Sequence, residues 1–399
     1  MSVRKKLIKT KSVTVSDLLG NIETSMLEDV CKELNADKWV IKLKTVTVFK
    51  LVLYSLLDST RLSLRTMEDN YSSAVFRAID ASVSDEGTAH SSIRDRLMSI
   101  KVGYFERIYA TLYKQIGEKY GTSQFSKYNL KRYDSTMIAV FSHLLEGMKV
   151  GNSSKKNQVK MTTELVNDFQ VRMKFFTTQD HLGEEVALKE VIQEATHQPN
   201  DLIVFDRGIK SRQTFKELKD KQTNFVTRLN ANTRYKFVRE HQAISPIEHP
   251  EMTILQDSIV HLYTDGNNLF KEEFRFIEAI RKEDNTKIIF LTNVLDLSAY
   301  MIGYIYRQRW QIEVFFRFIK QEMNMTHFVC NDPNAIQVMI YCTLIAAMLM
   351  LVYKKLNNIK SYKFAKIQFF KELQAAVILE LLETDDRTIR FKKYLKLHL

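Results

Sequence analysis

The sequence predicts an α/β protein in which helical N- and C-terminal regions flank a strand-rich middle. Three observations predict it. Long apolar runs with helical periodicity, such as Thr45 to Leu57, lie towards both ends. From about residue 128 the pattern changes to short segments rich in Thr, Val, Phe and Met with turn residues between them. The 399 residues are 45% hydrophobic and hold only 11 Gly and 4 Pro, enough for a substantial core and two or three domains.

Residues 1–120 read as helices with polar connections. Thr45 to Leu57 and Tyr104 to Tyr120 are the clearest, the second closed by Gly121 as a C-cap. Ser91-Ser92-Ile93-Arg94-Asp95-Arg96 can open a further helix, of the kind found in DNA-reading helical domains. Tyr128 to Phe141, Gln158 to Val166 and Val171 to Thr178 then read as strands. Glu184 to Ala195 is an amphipathic helix, and Leu202-Ile203-Val204-Phe205 an all-apolar strand of the buried, parallel type. A helix from Ser211 to Lys221 and a strand from Asn224 to Leu229 complete the series. Strand, strand, strand, helix, strand, helix, strand is the order of a ribonuclease H-like core, an order that other α/β folds share.

Strands recur at Tyr235 to Arg239, Thr253 to Tyr263, Glu273 to Ile280 and Lys287 to Leu291, punctuated by Pro246, Pro250 and Gly266-Asn267-Asn268. They form a β-rich insertion ahead of a long helix that opens at Ser298 as N-cap. The expected division is therefore 1–120 helical, 121–230 the first part of the core, 231–292 the insertion, 293–330 the second part of the core with its helix, and 331–399 helical and basic.

The formal net charge of +12 points to a polyanionic partner. From Lys354 onwards there are 11 Lys/Arg against 5 Asp/Glu, an excess of +6 that is half of the total. Cys31, Cys330 and Cys342 have no metal-ligand spacing and are odd in number, which fits a reducing cytoplasm. The basic N-terminus has no apolar stretch behind it, so it is not a secretory signal. Val338 to Tyr353 is apolar for 16 residues, short of the roughly 20 of a membrane span, and reads as a buried core helix.

Three carboxylates stand out. Asp134 interrupts a good strand, where Asp is depleted, although a bend capped by Asp134 or Ser135 explains it equally. Asp206 follows Leu202–Phe205 directly, where open α/β sheets gather their sites, and precedes Gly208, which permits a sharp turn; an Asp in an ordinary turn is the alternative. Glu313 has Arg309 four residues before it and Arg317 four after, which an ion-pair ladder also explains. On one helix, at about 100° per residue, Tyr306, Arg309, Glu313, Arg317 and Lys320 fall within an arc of about 80°. Ile305, Ile312, Phe315, Phe318 and Ile319 take the other side, leaving one narrow polar stripe. Two strand-borne aspartates and a helix-borne glutamate suit phosphoryl transfer with two Mg2+ or Mn2+ ions, and the three cations suit DNA phosphates.

Tyr306-x2-Arg309-x3-Glu313-x6-Lys320 matches the Tyr-Arg-Glu-Lys signature of DDE transposases of insertion-sequence family four. Asp134-Ser135-Thr136 and Asp206-Arg207-Gly208 resemble the blocks around that family's catalytic aspartates, and the resemblance covers roughly residues 128–330. It implies a ribonuclease H-like catalytic core interrupted by a β-rich insertion, and metal-dependent cut-and-paste transposition of double-stranded DNA. Carried over, Asp134, Asp206 and Glu313 are catalytic metal ligands, and Tyr306, Arg309, Arg317 and Lys320 contact transposon ends. It further implies a homodimer synapsing two ends and target DNA as second substrate; the helix signal at 91–96 suggests a DNA-binding N-terminal region, and the shortness of the apolar run 338–353 suggests no membrane. A ribonuclease H-like nuclease or resolvase shares the carboxylates, as does a catalytically silent DNA-binding relative, but the four-residue spacing favours the transposase. Well-known members stack a tryptophan of the insertion on a flipped base. Here the tryptophans are Trp39 and Trp310, so either another aromatic such as Tyr263, Phe270 or Phe290 stacks in its place or the hairpin step differs.

Overall fold

The computed structural model describes residues 12–58, 62–84, 86–120, 127–139, 148–149, 158–166, 169–241, 250–264, 267–323, 325 and 328–383. Gly121, Phe141, Pro246 and Gly266, named above as cap, strand end and turn residues, lie outside these, as does the basic tail from residue 384. In chain order the elements begin with seven helices, α1 (Val15–Leu19), α2 (Thr24–Glu33), α3 (Thr45–Leu57), α4 (Leu64–Ser72), α5 (Ala74–Ile79), α6 (His90–Ser99) and α7 (Val102–Tyr120). There follow β1 (Asn129–Ala139), β2 (Gln158–Val166), β3 (Phe169–Phe176), α8 (Glu184–Glu194), β4 (Asp201–Phe205), α9 (Arg212–Asp220) and β5 (Asn224–Leu229). The remainder is β6 (Tyr235–Glu240), β7 (Met252–Tyr263), β8 (Leu269–Arg281), β9 (Thr286–Thr292), α10 (Ala299–Arg307), α11 (Trp310–Gln321), α12 (Pro333–Leu356) and α13 (Tyr362–Glu383).

Two compact units result, one drawn mainly from residues 1–120 and 317–399, the other from 121–139 and 146–316. The first is helical and built around α12, which packs against α3, α6, α7 and α13. Asp332 caps α12 by accepting from Asn334 N at 2.9 Å and Ala335 N at 3.1 Å, and Pro333 starts it where a missing N–H costs nothing. The run Val338–Tyr353 is thus the middle of a 24-residue helix. By length and composition α12 reaches what a membrane crossing needs, yet 89% of its apolar window is buried in protein, so it serves as the core.

The second unit is a nine-stranded mixed sheet in the order β3-β2-β1-β4-β5-β9-β8-β7-β6. β1 pairs antiparallel with β2 and parallel with β4, and β4 pairs parallel with β5. All five residues of β4 are buried, which explains its continuous apolar run. The strand-rich stretch 231–292 is not a separate layer. β9 pairs antiparallel with β5, Val226 opposite Thr292, and β8, β7 and β6 extend the same sheet. A buried ion pair links β7 to β8, with Arg275 donating to Asp257 Oδ1 at 2.9 Å and Oδ2 at 2.7 Å. The same guanidinium donates to the carbonyls of Val294 and Leu297, fixing the turn that delivers Ser298.

Ser298 caps α10 as expected, accepting from Met301 N at 3.2 Å. The single long helix expected from there to Lys320 is corrected: it is broken at Gln308–Arg309. Arg309 N bonds Tyr306 O at 3.0 Å, Gln311 N bonds Gln308 O at 3.2 Å and Ile312 N bonds Arg309 O at 3.0 Å. Such three-residue bonds tighten the turn and shift the phase of everything after it. No Pro or Gly stands at the break to announce it.

Candidate active site

The site begins with backbone register. Tyr133 of β1 lies opposite Phe205, the last residue of β4. One residue further, where the parallel β1–β4 pairing ends, Asp134 still within β1 and Asp206 just past β4 lie side by side, at the carboxyl end of β4 where α/β sheets present their chemistry. Asp134 is a true strand residue, opposite Thr163 of β2, and not part of a bend. Its Oδ1 accepts from Ser135 N at 2.8 Å, and Asp206 Oδ1 accepts from Arg207 N at 2.8 Å.

Helices α10 and α11 bring the remaining groups. Tyr306 donates its hydroxyl hydrogen to Asp206 Oδ1 at 2.7 Å. Arg309, at the joint between the helices, donates from Nη1 to Asp134 Oδ2 at 2.9 Å and from Nη2 to Glu313 Oε1 at 2.5 Å. The same Nη2 lies 3.8 Å from Asp206 Oδ2. One guanidinium, its side chain 11% exposed, therefore faces all three carboxylates. The i,i+4 pair of Arg309 and Glu313 exists, but as one arm of this cluster and not as a ladder on a solvated face.

The charges are unequal. Burial pushes the Asp134 carboxyl up to about 7, against the pull of Arg309 and the Ser135 N–H. Burial also works against the charged form of Asp206, but Arg309, the Tyr306 hydroxyl, the Arg207 N–H and Arg228 together hold it below the usual carboxylate range. Burial and the neighbouring Asp206 raise the Tyr306 phenol, so it stays a hydrogen-bond donor.

Lys320 and Arg317 lie further along α11, in the helical unit: Arg317 is exposed, and desolvation lowers the pKa of half-buried Lys320. Phe290 is 2% exposed and packs on Tyr306 at 5.5 Å between centroids, so it is removed as a base-stacking candidate. Tyr263 lies under the Arg234 guanidinium at 5.2 Å, and Phe270 packs against the core of the sheet.

Two residues near the site escaped the sequence reading. Arg228 of β5 stands 5.8 Å from the Tyr306 ring centroid; its only signal was a cation in an otherwise buried strand. Glu184 adds negative potential at Asp134, but an acid in a first helical turn is unremarkable in sequence. It also explains Gly208, whose backbone is not left-handed: a Cβ there would lie 2.7 to 2.9 Å from the Glu184 side chain. Arg207-Gly208 forms the turn expected there, and a side chain at 208 would displace the end of Glu184.

Three carboxylates supply the hard oxygen donors that Mg2+ or Mn2+ prefers. Among the described residues, however, no three His, Cys, Asp or Glu side chains are gathered closely enough to hold an ion as they stand. The position the three carboxylates share faces the Arg309 guanidinium, a cation in the role that an ion would take.

A family model described as the transposase DDE domain matches residues 128–349, more than half of the chain. A protein of Sinorhizobium fredii named as transposase y4zB is 30% identical over 156 residues, 39% of this chain and 43% of its own length. One of Synechocystis, named as a transposase for insertion sequence element IS4SA, is 23% identical over 62% of this chain and 67% of its own. The chain thus spans less than half the length of the first of these relatives. Its fold resembles that of piggyBac transposase, solved by cryo-EM as a synaptic complex with hairpin DNA, at a TM-score of 0.53 and 11% identity over 95% of this chain and 84% of that one.

Proposed function

Since the chain belongs to the transposase DDE domain family, we propose that it cleaves double-stranded DNA at transposon ends and joins those ends to target DNA. The observation that carries this reading is the convergence of Asp134, Asp206 and Glu313, from two adjacent parallel strands and a helix, on one cation. The strand order β3-β2-β1-β4-β5 supports reading the first five strands as a ribonuclease H-like core, with β6 to β9 as the insertion that widens its sheet.

In this reading Asp134, Asp206 and Glu313 would hold two Mg2+ or Mn2+ ions once they draw closer than they now stand around Arg309. When bound, such ions activate the attacking oxygen and stabilise the leaving one. The chain's own groups prepare that task. Tyr306 is a positioning residue that fixes one oxygen of Asp206 and leaves the other directed at the cluster. Burial favours the neutral form of Asp134, and the Arg309 cation opposes that in part. Arg317 and Lys320 supply positive charge for the phosphates of the ends, while Arg309 is engaged by the carboxylates, and two copies of the chain synapse two ends.

The test is an end-cleavage assay with and without Mg2+. Asp134→Asn, Asp206→Asn and Glu313→Gln each abolish cleavage and retain DNA binding. Full cleavage by any one variant removes that residue from the site. Cleavage by the native chain without joining to target DNA reduces the activity to that of a nuclease.

A further inference from the structure

In the helical unit, the segment between α2 and α3 carries Asp37-Lys38-Trp39-Val40-Ile41-Lys42-Leu43-Lys44. Trp39 and Ile41 are each 90% exposed, whereas the next most exposed large apolar side chain among the described residues, Phe364, reaches 62%. They are not loose. Asp37 Oδ1 accepts from Thr45 N at 2.8 Å, Thr45 Oγ1 at 2.6 Å and Arg96 Nη2 at 2.7 Å. Arg96 also donates to the carbonyls of Ala36 at 3.2 Å and Leu43 at 3.0 Å, tying both ends of the segment to α6. Leu43 points inward at 6% exposure, and Trp39 holds a left-handed φ of 68°. A built scaffold thus turns its two largest apolar side chains into water, at a cost that a soluble surface does not explain.

The flanking charges identify the partner. Lys38, Lys42 and Lys44 are exposed, and the one acid of the segment, Asp37, is turned inward to Arg96; Lys42 shares its charge with Glu86 at 2.6 Å. A second copy of the chain would bring the same three lysines. Two side chains also cover far less than the about 800 Å² per partner of a stable protein interface. Cations that reach phosphates, with an apolar wedge between them, suit a nucleic-acid groove.

We propose that residues 38–44 form a duplex-DNA contact, with Lys38, Lys42 and Lys44 on backbone phosphates and Trp39 and Ile41 seated in a groove. This rests on the reading of the chain as a DNA transposase. It assigns a contact to a loop for which the sequence offered only a helical DNA-binding region.

The full chain carrying Trp310→Phe leaves Trp39 as its single tryptophan, and a mixed-sequence linear duplex is titrated into it. Trp39 emission is expected to change on binding and to recover with salt. Trp39→Ala weakens duplex binding at least about fivefold with an unchanged salt slope, because stacking and groove burial release no counterions. The triple change of Lys38, Lys42 and Lys44 to Ala lowers that slope by up to about 3. Unmoved Trp39 emission together with native affinity in Trp39→Ala overturns the proposal; if Mg2+-dependent end cleavage persists in that case, the transposase reading stands. A dimer that Trp39→Ala dissolves also overturns it, in favour of self-association. Failure of the native chain to bind duplex or to cleave it overturns both.

Discussion

Arg309 and Asp134 meet at 2.9 Å, and with that bond a single cation is shared among three acids whose chain positions are far apart. The guanidinium therefore neutralises a cluster that would otherwise repel itself. Arg309→Ala should lower stability in metal-free buffer by about 3 kcal/mol, the loss on stripping a buried charge of its partner. Mn2+ should raise the melting temperature of this variant by several degrees more than that of the native chain. Equal shifts would show that ion and guanidinium do not serve the same carboxylates.

The two arginines flanking Glu313 should separate in a salt titration of DNA binding. Arg317 is exposed, so Arg317→Ala should reduce the slope by about 1, the loss of one phosphate contact. Arg309→Ala should change the slope less and cleavage more, because its charge is spent on carboxylates. The reverse pattern would make Arg309 the phosphate ligand.

The turn before α10 depends on a charge pair whose side chains are 0% and 3% exposed. Arg275→Met should destabilise the protein by about 3–5 kcal/mol, since Asp257 is left buried and unpaired. Arg275→Met with Asp257→Leu should cost less than Arg275→Met alone. Urea unfolding decides it: additive losses would mean that the pair is not a coupled unit.

Asp37 links the exposed loop to pH. Burial opposes its charge, but bonds from Thr45 and Cys31 and the Arg96 cation hold its pKa below the ordinary 3.8. A carboxylate depressed in the folded state adds stability above its unfolded pKa and loses it as pH falls through the folded value. Asp37→Asn should therefore be less stable at neutral pH, and the gap from the native chain should close as the pH falls past the ordinary 3.8 and through the lower folded value. A gap that stays constant across that range would assign the loss to packing.

Local features were the most legible. α3, β2 and β5 end where the sequence placed them, because each is bounded by residues that change its periodicity or its polarity. Strand position drew attention to the aspartates, one inside a strand and the other ending an apolar run, but a bend or turn explained each equally until they were taken with Glu313 and the family signature. What escaped was long-range. Nothing local in Val226 announces Thr292 as its partner, so the joining of the strands of 231–292 to the others in one nine-stranded sheet was not legible. The break at Gln308–Arg309 carries no Pro or Gly, and a uniform helical wheel could not show that acids from β1 and the end of β4 meet Arg309. Phe290 looked available for stacking because its burial under Tyr306 is set by α10, not by neighbours in sequence.

The pairing of Tyr133 with Phe205 has a consequence for how this chain tolerates change in length. The distance between Asp134 and Asp206 is inherited from a hydrogen-bonded ladder and owes nothing to the residues that separate them in the chain. Segments added between β2 and β3, or between β3 and α8, should leave the two acids where they are. A single residue added within β1 ahead of Asp134 should instead turn its carboxylate to the opposite face of the sheet, since side chains alternate along a strand. Indels in this protein should therefore be graded by whether they cross the ladder, not by their size.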